Sequence, residues 1–391
     1  MLRYVTAGES HGKQLTVILE GVPAGLSITS EYINSELARR QHGFGRGARM
    51  KIEKDKVEIL SGIRSGETIG SPICLAIKNL DWENWRYIMS PDIATVSGKA
   101  TSRVDFQVCP RPGHADLPGA LKFDRKDLRD ILERASARET AARVAAGAVC
   151  RKLISEFGVN VGSFVTVIGG IKASSGKMLL KEAFAAAESS PLRTPDKKAE
   201  KEMLAAIEAA GKNGDTLGGV FALIANGVVC GLGSHAQWDR KLDARIAMGL
   251  MSIQAVKGVE FGIGFEFGGR PGSESHDEIF FSEEKGFYRG SNNAGGIEGG
   301  ISNGENIVVN CVMKPIPSLK KPLKSVNILT KMPSPAEAVR SDVCAVPSAG
   351  VIGESVLCFE LAAAMKEKFG GDSLGEMRNN FLSYKKQVEK F

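Results

Sequence analysis

Residues 134–149 are the segment that most constrains how this chain can fold. The segment reads Arg-Ala-Ser-Ala-Arg-Glu-Thr-Ala-Ala-Arg-Val-Ala-Ala-Gly-Ala-Val, a helix-forming run. Its alanine and glycine side chains leave almost no bulk, so neighbouring elements can approach the helix closely on most sides. We therefore expect this helix to lie at the centre of the protein.

The start of this helix has the features of an anion site. Ser136 and Glu139 have the spacing of a capping box, which predicts a helix start at Ser136, and a longer helix from about Asp127 is the alternative. A helix start attracts phosphate or carboxylate through its free N–H groups and partial positive charge, and Arg134 and Arg138 flank this one. Taken alone, the segment fits an ordinary alanine-rich core helix with surface arginines better than it fits an anion site.

Composition indicates a soluble globular protein that binds a compact anion. The chain has 391 residues, enough for one large domain or two, with 43% hydrophobic residues and a net charge of +6. There is no long Lys/Arg tail of the kind that binds nucleic acid or membrane. The arginines instead cluster in short glycine-containing segments, at Arg39, Arg40, Arg46, Arg49, Arg103, Arg111, Arg134 and Arg138.

Cysteine and histidine spacing argues against disulfide or metal chemistry. Seven cysteines are widely spaced without a CxxC pair, and five histidines occur singly. His11 and His114 stand out because they lie in glycine-bounded loops beside Ser10 and Arg111, where an imidazole could move protons next to an anion. The N-terminus lacks a signal-like apolar stretch and no run of about 18 apolar residues occurs, so we expect a cytoplasmic protein.

The order of elements predicts an α+β fold with antiparallel sheets, because strands outnumber strand–helix–strand units. Strands are predicted at 14–20, 51–63, 71–78, 159–172, 217–231, 259–268 and 307–313. Helices are predicted at 30–40, from Ser136 to Gly158, at 239–251 and up to about Phe369, and a loop is predicted from Asp81 to Pro118. Residues 177–212 are predicted to be a peripheral helical pair, broken near 191–195, and a polar helical tail follows Gly370 and Gly371.

The motif Gly8-Glu-Ser10-His-Gly12 leaves a serine hydrolase open, because it matches the GxSxG nucleophile elbow. Its setting is unsuitable, since an elbow joins a strand to a helix, whereas this motif leads into a strand. The glycine-rich loops likewise lack the strand–GxGxxG–helix setting of a dinucleotide site. A polyanion-binding protein is the other alternative, although the arginine loops lack the aromatic residues that stack on bases.

Six segments, taken together and in this order, resemble the chorismate synthase family over residues 1 to about 370. Each segment alone is weak, but the order and the spacing are specific. They are Gly8-Glu-Ser-His-Gly12, Arg39-Arg-Gln-His-Gly-Phe-Gly-Arg46, Arg111-Pro-Gly-His-Ala-Asp116, the run 134–148, Gly295-Gly-Ile-Glu-Gly-Gly-Ile-Ser-Asn-Gly304 and Arg340-Ser-Asp-Val-Cys344.

The resemblance implies a phosphate-lyase that makes chorismate by a 1,4-anti elimination from 5-enolpyruvylshikimate 3-phosphate, with reduced FMN and no net redox change. It also implies a single domain over 1–391, built as a β-α-β sandwich of largely antiparallel sheets around a helical core, with a peripheral segment at about 177–212 and a tail at about 372–391. A homotetramer is expected, with no nucleic-acid or membrane partner. FMN reduction by NADPH on the protein and reduction by an external flavin reductase both stay open.

The resemblance also assigns roles by position. His11 would assist departure of phosphate, His114 would protonate or stabilise the reduced flavin, and Asp342 with Ser10 and Ser136 would organise proton transfer. Arginines would bind the substrate or NADPH, namely Arg40, Arg46, Arg49, Arg111 and Arg138. Arg340 is assigned to both the substrate and the cofactor. FMN would be held by Arg134, Ala135, Ser136, Gln254, Ala255, Gly299, Lys314, Pro315, Ile316, Pro317 and Ser318.

Overall fold

The computed structural model describes residues 1–47, 52–92, 95–96, 99–100, 106–174, 176, 178–337 and 342–391. Helices in this part of the chain are α1 (Ser30–Gln41), α2 (Trp82–Trp85), α3 (Asp116–Phe123), α4 (Arg129–Ala135), α5 (Thr140–Ser155), α6 (Leu180–Ser189), α7 (Lys197–Lys212), α8 (Leu242–Met251), α9 (Gly272–Ser275), α10 (Val346–Phe369) and α11 (Leu374–Glu389). The strands are β1 (Arg3–Ala7), β2 (Gln14–Glu20), β3 (Val57–Ser61), β4 (Ile63–Arg64), β5 (Glu67–Thr68), β6 (Ile73–Lys78), β7 (Thr95–Val96), β8 (Lys99–Ala100), β9 (Asn160–Ile168), β10 (Ile171–Lys172), β11 (Gly219–Asn226), β12 (Val256–Phe261), β13 (Ile279–Ser282), β14 (Gly286–Arg289), β15 (Ile297–Glu298), β16 (Ile301–Ser302), β17 (Ile307–Met313), β18 (Lys324–Val326) and β19 (Pro333–Pro335).

The two largest sheets are antiparallel and pack against helices. One sheet has the order β1-β2-β6-β3 and the other the order β10-β9-β11-β17-β12. Helix α5 packs against β2, β6, α1 and α10, and α10 in turn packs against β9 and β11. The predicted α+β class with antiparallel sheets is confirmed at this level.

Helix α5 is the small-sided helix that the sequence places at the centre, and it is buried along almost its whole length. A Cβ atom at Gly147 would lie 2.4 Å from the Cβ of Ser355 on α10, so only glycine permits this contact between the two helices. Helix α10 has the length and mean hydropathy of a membrane span, yet 94% of its most apolar window is buried inside the protein. It is therefore placed as a core helix.

The predicted capping box at Ser136 does not form, although Ser136 is the N-cap of the 3-10 turn that leads into α5. Helix α4 ends at Ala135, a 3-10 turn spans 137–139, and α5 begins only at Thr140. Ser136 Oγ accepts a hydrogen bond from the Arg138 N–H at 3.3 Å, whereas the Glu139 carboxylate accepts from Thr6 Oγ1 and Arg143 Nε at 2.9 Å each. Tertiary partners have drawn the glutamate away from the backbone group that a capping box would use, and the alternative of one longer helix from Asp127 is wrong too.

Two further predictions differ from the structure. The alternating segment 259–268 is strand only to Phe261, because Gly262 and Gly264 adopt φ values of +57° and +48° and turn the chain into a 3-10 helix at 264–269. The predicted loop up to Pro118 contains α2 and the start of α3, where Pro118 stands in the first turn, a place that proline tolerates. Strands 14–20 and 307–313 and the helical pair around 191–195 are confirmed.

Candidate active site

A cavity of about 940 Å³ brings together five of the six segments singled out in the sequence. The turn after β1, the loop after α1, the loop before α3, the α4–α5 junction and the loop before α10 all contribute to its wall. The sequence-predicted residues in the wall are Ser10, His11, Arg40, Arg46, Arg111, His114, Ala135, Ser136, Arg138, Gln254, Ala255, Lys314, Ile316, Pro317, Ser318 and Asp342.

His11 is held by Glu133 of helix α4. Its Nδ1 lies 2.8 Å from Glu133 Oε1, and its backbone N–H donates to Oε2 of the same carboxylate at 2.7 Å. The imidazole stacks on Trp85 with ring centroids 4.2 Å apart. The side chain of Glu133 is 1% exposed, compared with 20% for His11, so a buried carboxylate supports an imidazole at the cavity wall.

His114 is held by Asp116, the first residue of α3. His114 Nδ1 lies 2.5 Å from Asp116 Oδ1, and Arg111 donates to both oxygens of the same carboxylate, from Nε at 2.8 Å and from Nη2 at 3.0 Å. Although burial opposes ionisation, hydrogen bonds from His114 and Arg111 hold the pKa of the Asp116 carboxyl well below its usual range. Arg111 Nη1 also donates to Ser318 Oγ at 2.8 Å.

Arg40 and Arg138 share one buried carboxylate. Arg40 Nη1 donates to Asp55 Oδ2 at 3.1 Å, and Arg138 Nη1 donates to Asp55 Oδ1 at 2.5 Å. Burial lowers the pKa of Arg40 to about 10, a shift that Asp55 opposes and that Arg138 and Arg46 increase. Arg138 Nη2 is buried without a hydrogen-bond partner among the described residues, although Glu53 Oε2 lies 3.5 Å away. Two guanidinium groups are therefore confined at this part of the wall, held by the carboxylates of Asp55 and Glu53.

Arg46 and Asp342 join two loops at the cavity. Arg46 Nη1 lies 3.0 Å from Asp342 Oδ2 and donates to Ser348 Oγ at 2.8 Å, while the Gly47 N–H donates to Asp342 Oδ1 at 2.5 Å. The predicted peripheral helical pair stands behind these loops. The Phe44 N–H donates to Pro191 O at 2.9 Å, and a Cβ atom at Gly45 would lie 3.0 Å from Ile207.

The opposite wall is largely apolar and is built by 253–255 and 313–318. Gln254 donates from Nε2 to Glu139 Oε2 at 3.3 Å, and its Oε1 is buried without a donor among the described residues. Ala255 has a φ of +67°, and its carbonyl accepts from the Lys314 N–H at 2.9 Å. The Lys314 side chain donates to the carbonyl of Gly113 and so joins this wall to the His114 loop.

Several predicted site residues are not brought to this wall. Arg134 donates to the carbonyls of Thr6 and Gly8 at 2.9 and 3.0 Å, outside the cavity. Gly299 lies in the turn between β15 and β16, and Pro315 is also absent from the wall as described. The predictions for Arg49 and Arg340 lie outside the described residues.

Sequence reasoning missed, among others, five residues that line or support the cavity and contact predicted residues or one another. Two of them, Asp55 and Glu133, supply buried carboxylates to predicted residues from distant parts of the chain. Nothing in their local sequence marks them, although Arg129 and Glu133 have the i,i+4 spacing of an ion pair on a helix. The five are Asp55, Trp85, Arg129, Glu133 and Ser348.

Comparison with known proteins identifies the family to which this arrangement belongs. A family model described as chorismate synthase matches residues 2–365. The chain belongs to the chorismate synthase family. A chorismate synthase of Geobacter sulfurreducens is 57% identical over 398 residues and one of Endomicrobium trichonymphae 54% identical over 389 residues, each with 100% of both chains covered.

A solved structure agrees with these relatives. A crystal structure of chorismate synthase matches with a TM-score of 0.81 and 45% identity, covering 100% of this chain and 99% of that chain. The protein is therefore an enzyme, a carbon–oxygen lyase that acts on a phosphate ester, and its product chorismate belongs to the shikimate pathway. The elbow interpretation of Ser10 does not fit this structure, because the Gly8–Gly12 turn joins the antiparallel strands β1 and β2.

Proposed function

We propose that this cavity binds 5-enolpyruvylshikimate 3-phosphate together with reduced FMN and carries out the 1,4-anti elimination of phosphate. The observation that carries the proposal is the composition of the cavity wall. Arginines and two histidine–carboxylate pairs form one side, and a largely apolar surface with a buried amide oxygen forms the other.

The arginines provide for the substrate's phosphate and its two carboxylates. Arg40, Arg46, Arg111 and Arg138 line the wall, each held in a fixed orientation by a carboxylate. Guanidinium groups match phosphate and carboxylate groups bidentately. Because Arg138 and Arg46 destabilise the cationic form of Arg40, an anion placed among them would relieve that repulsion. Arg49 and Arg340 are proposed as further ligands, for substrate and, in the case of Arg340, also for cofactor.

The apolar wall fits a flat cofactor with polar edges. Gln254 Oε1 is a buried acceptor without a donor among the described residues, and Ile316 and Pro317 offer apolar surface beside it. Ala135, Ser136, Ala255, Lys314, Pro315 and Ser318 are proposed to complete this site, with Arg134 at its edge. When bound, reduced FMN supplies the electron that is lent as phosphate leaves and returned as the ring hydrogen is lost.

The protein's own groups would control protons around the two ligands. His11 would assist departure of phosphate, and His114 would protonate or stabilise the reduced flavin. Asp342, with Ser10 and Ser136, would organise proton transfer at the flavin ring. Enclosure by the wall would exclude water and strengthen these electrostatic interactions.

The remaining proposals concern assembly and cellular context. We propose one domain over residues 1–391, with a β-α-β sandwich architecture, because the larger hydrophobic core contains residues from Leu2 to Met377. A homotetramer is supported by exposed apolar side chains on the β13–β14 hairpin, where Ile279 and Phe281 are 62% and 63% exposed. Gly299 lies outside the cavity, so a contact with the same FMN would come from a second copy. We also propose a cytoplasmic location. The electrons that reduce FMN would come from NADPH or from an external flavin reductase.

An anaerobic assay tests the proposed reaction. Purified protein is mixed with the shikimate ester, FMN and dithionite without oxygen, and chorismate and phosphate are measured, with oxidised FMN as the control. We expect both products in equal amounts and only with reduced FMN. Flavin-independent release of phosphate that Ser10→Ala abolishes would support the hydrolase instead, and salt-sensitive binding of nucleic acid without turnover would support the polyanion-binding protein.

A further inference from the structure

We propose that Glu133 is a positioning residue for His11, holding the imidazole with its Nδ1 proton toward the carboxylate, so that Nε2 is the nitrogen that acts in the reaction. The proposal deepens the function above and rests on the role of His11 in phosphate departure. It assigns a task to a residue of α4 that no sequence motif marks.

Glu133 contacts three nitrogen atoms of the Gly8–Gly12 turn. Glu133 Oε1 lies 2.8 Å from His11 Nδ1, Glu133 Oε2 accepts from the His11 backbone N–H at 2.7 Å, and the Glu133 carbonyl accepts from the Ser10 N–H at 3.0 Å. The carboxylate therefore fixes both the ring and the peptide that carries it. Both predicted groups of the motif Gly8–Gly12, Ser10 and His11, are oriented by α4.

A second contact fixes the plane of the ring. The imidazole stacks on Trp85 with an interplanar angle of 28°, and Trp85 Nε1 donates to Asp81 Oδ2 at 3.1 Å. Arg129 lies near the Trp85 ring, with its Cζ 5.1 Å from the ring centroid, and its Nη1 is 4.0 Å from Glu133 Oε1. Stacking sets the plane but cannot choose between the two flipped orientations of the ring, and the carboxylate makes that choice.

The chemistry of the pair follows from what a carboxylate can do. An ionised carboxylate only accepts hydrogen bonds, so His11 Nδ1 must carry a proton, and the neutral ring then keeps its lone pair on Nε2. With Nδ1 held by the carboxylate, Nε2 is the ring atom that can exchange a proton with the substrate, and it is the atom that would donate to a departing phosphate oxygen. An amide in place of the carboxylate keeps the shape but removes this charge.

A double-mutant cycle tests the proposal. Turnover is measured under the anaerobic assay for wild type, Glu133→Gln, His11→Ala and the double variant. We expect Glu133→Gln to lower kcat about tenfold or more in the wild-type background, with a small change in KM, and less than about twofold in the His11→Ala background. Equal factors in both backgrounds would show that Glu133 acts through the general structure and not through His11.

A matched control and a conservative variant keep the cycle interpretable. Glu360 on α10 is also a buried glutamate, and it lies outside the cavity wall, so Glu360→Gln should change kcat less than about twofold. Glu133→Asp keeps the charge but shortens the side chain, and we expect it to retain more activity than Glu133→Gln. If Glu133→Gln does not fold, the same cycle is run with Glu133→Asp, and additive effects there would likewise overturn the proposal.

Nitrogen NMR separates this proposal from the proposed reaction. Protein labelled with ¹⁵N-histidine, without cofactor or substrate, should show His11 with its proton on Nδ1, and Glu133→Ala, which removes the acceptor, should move that tautomer signal. An unchanged tautomer in Glu133→Ala contradicts the positioning role. A changed tautomer together with normal turnover in His11→Ala would support the contact between Glu133 and His11 but would contradict a role of His11 in the reaction.

Discussion

The two histidine–carboxylate pairs of the cavity are built alike but supported differently. In both, Nδ1 of a partly exposed imidazole faces a carboxylate that is almost fully buried, at 2.8 Å for His11 and Glu133 and at 2.5 Å for His114 and Asp116. In the described structure, the hydrogen bonds to the Glu133 carboxylate come from His11 alone. The Asp116 carboxylate is shared with Arg111, which donates to both oxygens.

This difference shows how the same local chemistry can serve different ends. The Glu133 carboxylate is hydrogen-bonded to His11 and forms only a long ion pair with Arg129, at 4.0 Å, so its main effect is on His11. A carboxylate shared with an arginine couples the imidazole to anion binding, because Arg111 and His114 move together if Asp116 changes. We therefore expect the His11 pair to affect turnover and the His114 pair to affect both turnover and substrate affinity.

The largest expected effect comes from removing His11. His11→Ala should lower kcat by about 10²- to 10⁴-fold, the range that a positioned acid–base group contributes, with little change in KM. Anaerobic steady-state assays with reduced FMN measure both constants. A kcat within threefold of wild type would contradict the proposed difference between the two pairs, because the His11 pair would then have no part in the reaction.

Asp116→Asn should affect both groups of the other pair. We expect kcat to fall and KM to rise, each by about tenfold or more, and the free energy of unfolding to fall by about 3 kcal/mol because a buried guanidinium loses its partner. The depressed pKa of Asp116 contributes stability that is full above its ordinary value of 3.8 and is lost progressively as the pH falls from 3.8 to the lower pKa of the folded state. Denaturant titrations at pH 7 and at about pH 2.5 should therefore show a smaller difference from wild type at the lower pH.

Arg46 and Asp342 form an ion pair at the cavity that includes no histidine. Arg46→Ala should raise KM by about tenfold to hundredfold and change kcat less, because the guanidinium binds the substrate's anionic groups in both the ground state and the transition state. Asp342→Ala should instead lower turnover with the fold intact, as should His114→Ala. The reverse pattern, with kcat falling in Arg46→Ala and only KM rising in Asp342→Ala, would exchange the roles of the two residues.

The smallest expected effect on turnover concerns Glu360, a buried glutamate whose ion pair with Arg245 is long. Burial raises the pKa of Glu360 from 4.5 to about 7, and Arg245, whose Nε is 3.7 Å away, only partly opposes it. Its protonated form is favoured by folding, so this contribution to stability is full below about pH 4.5 and is lost as the pH rises to about 7. Glu360→Gln should remove this slope, worth on the order of 3 kcal/mol, in thermal or denaturant unfolding. If the unfolding free energy of the variant kept the same dependence on pH, that dependence would come from a group other than Glu360.

The sequence makes contacts within one loop predictable and hides contacts between distant elements. Arg111, His114 and Asp116 lie within six residues, so their spacing alone predicts that their side chains lie close together. His11 and Glu133 are 122 positions apart, and Asp55 joins Arg40 to Arg138 across two loops. Periodicity predicted strands 14–20 and 307–313 because each is regular and pairs on both sides.

Local rules failed where tertiary partners were stronger. The capping box at Ser136 was a reasonable expectation from spacing alone, but Glu139 binds Thr6 and Arg143 instead. The alternation at 259–268 ended at glycines whose positive φ no pattern of apolar residues reveals. Helix α5 was predicted as central from its small side chains, and the close approach of Gly147 to Ser355 shows the physical reason.

An anaerobic single-turnover experiment tests the central claim most directly, namely that His11 serves the phosphate and His114 serves the flavin. Reduced FMN and substrate are mixed with wild type, His11→Ala and His114→Ala, and phosphate release and flavin absorbance are followed together. We predict that His11→Ala slows phosphate release while the absorbance of bound reduced FMN before substrate addition stays as in wild type, and that His114→Ala changes that absorbance. An altered flavin absorbance in His11→Ala with a normal one in His114→Ala would contradict the account.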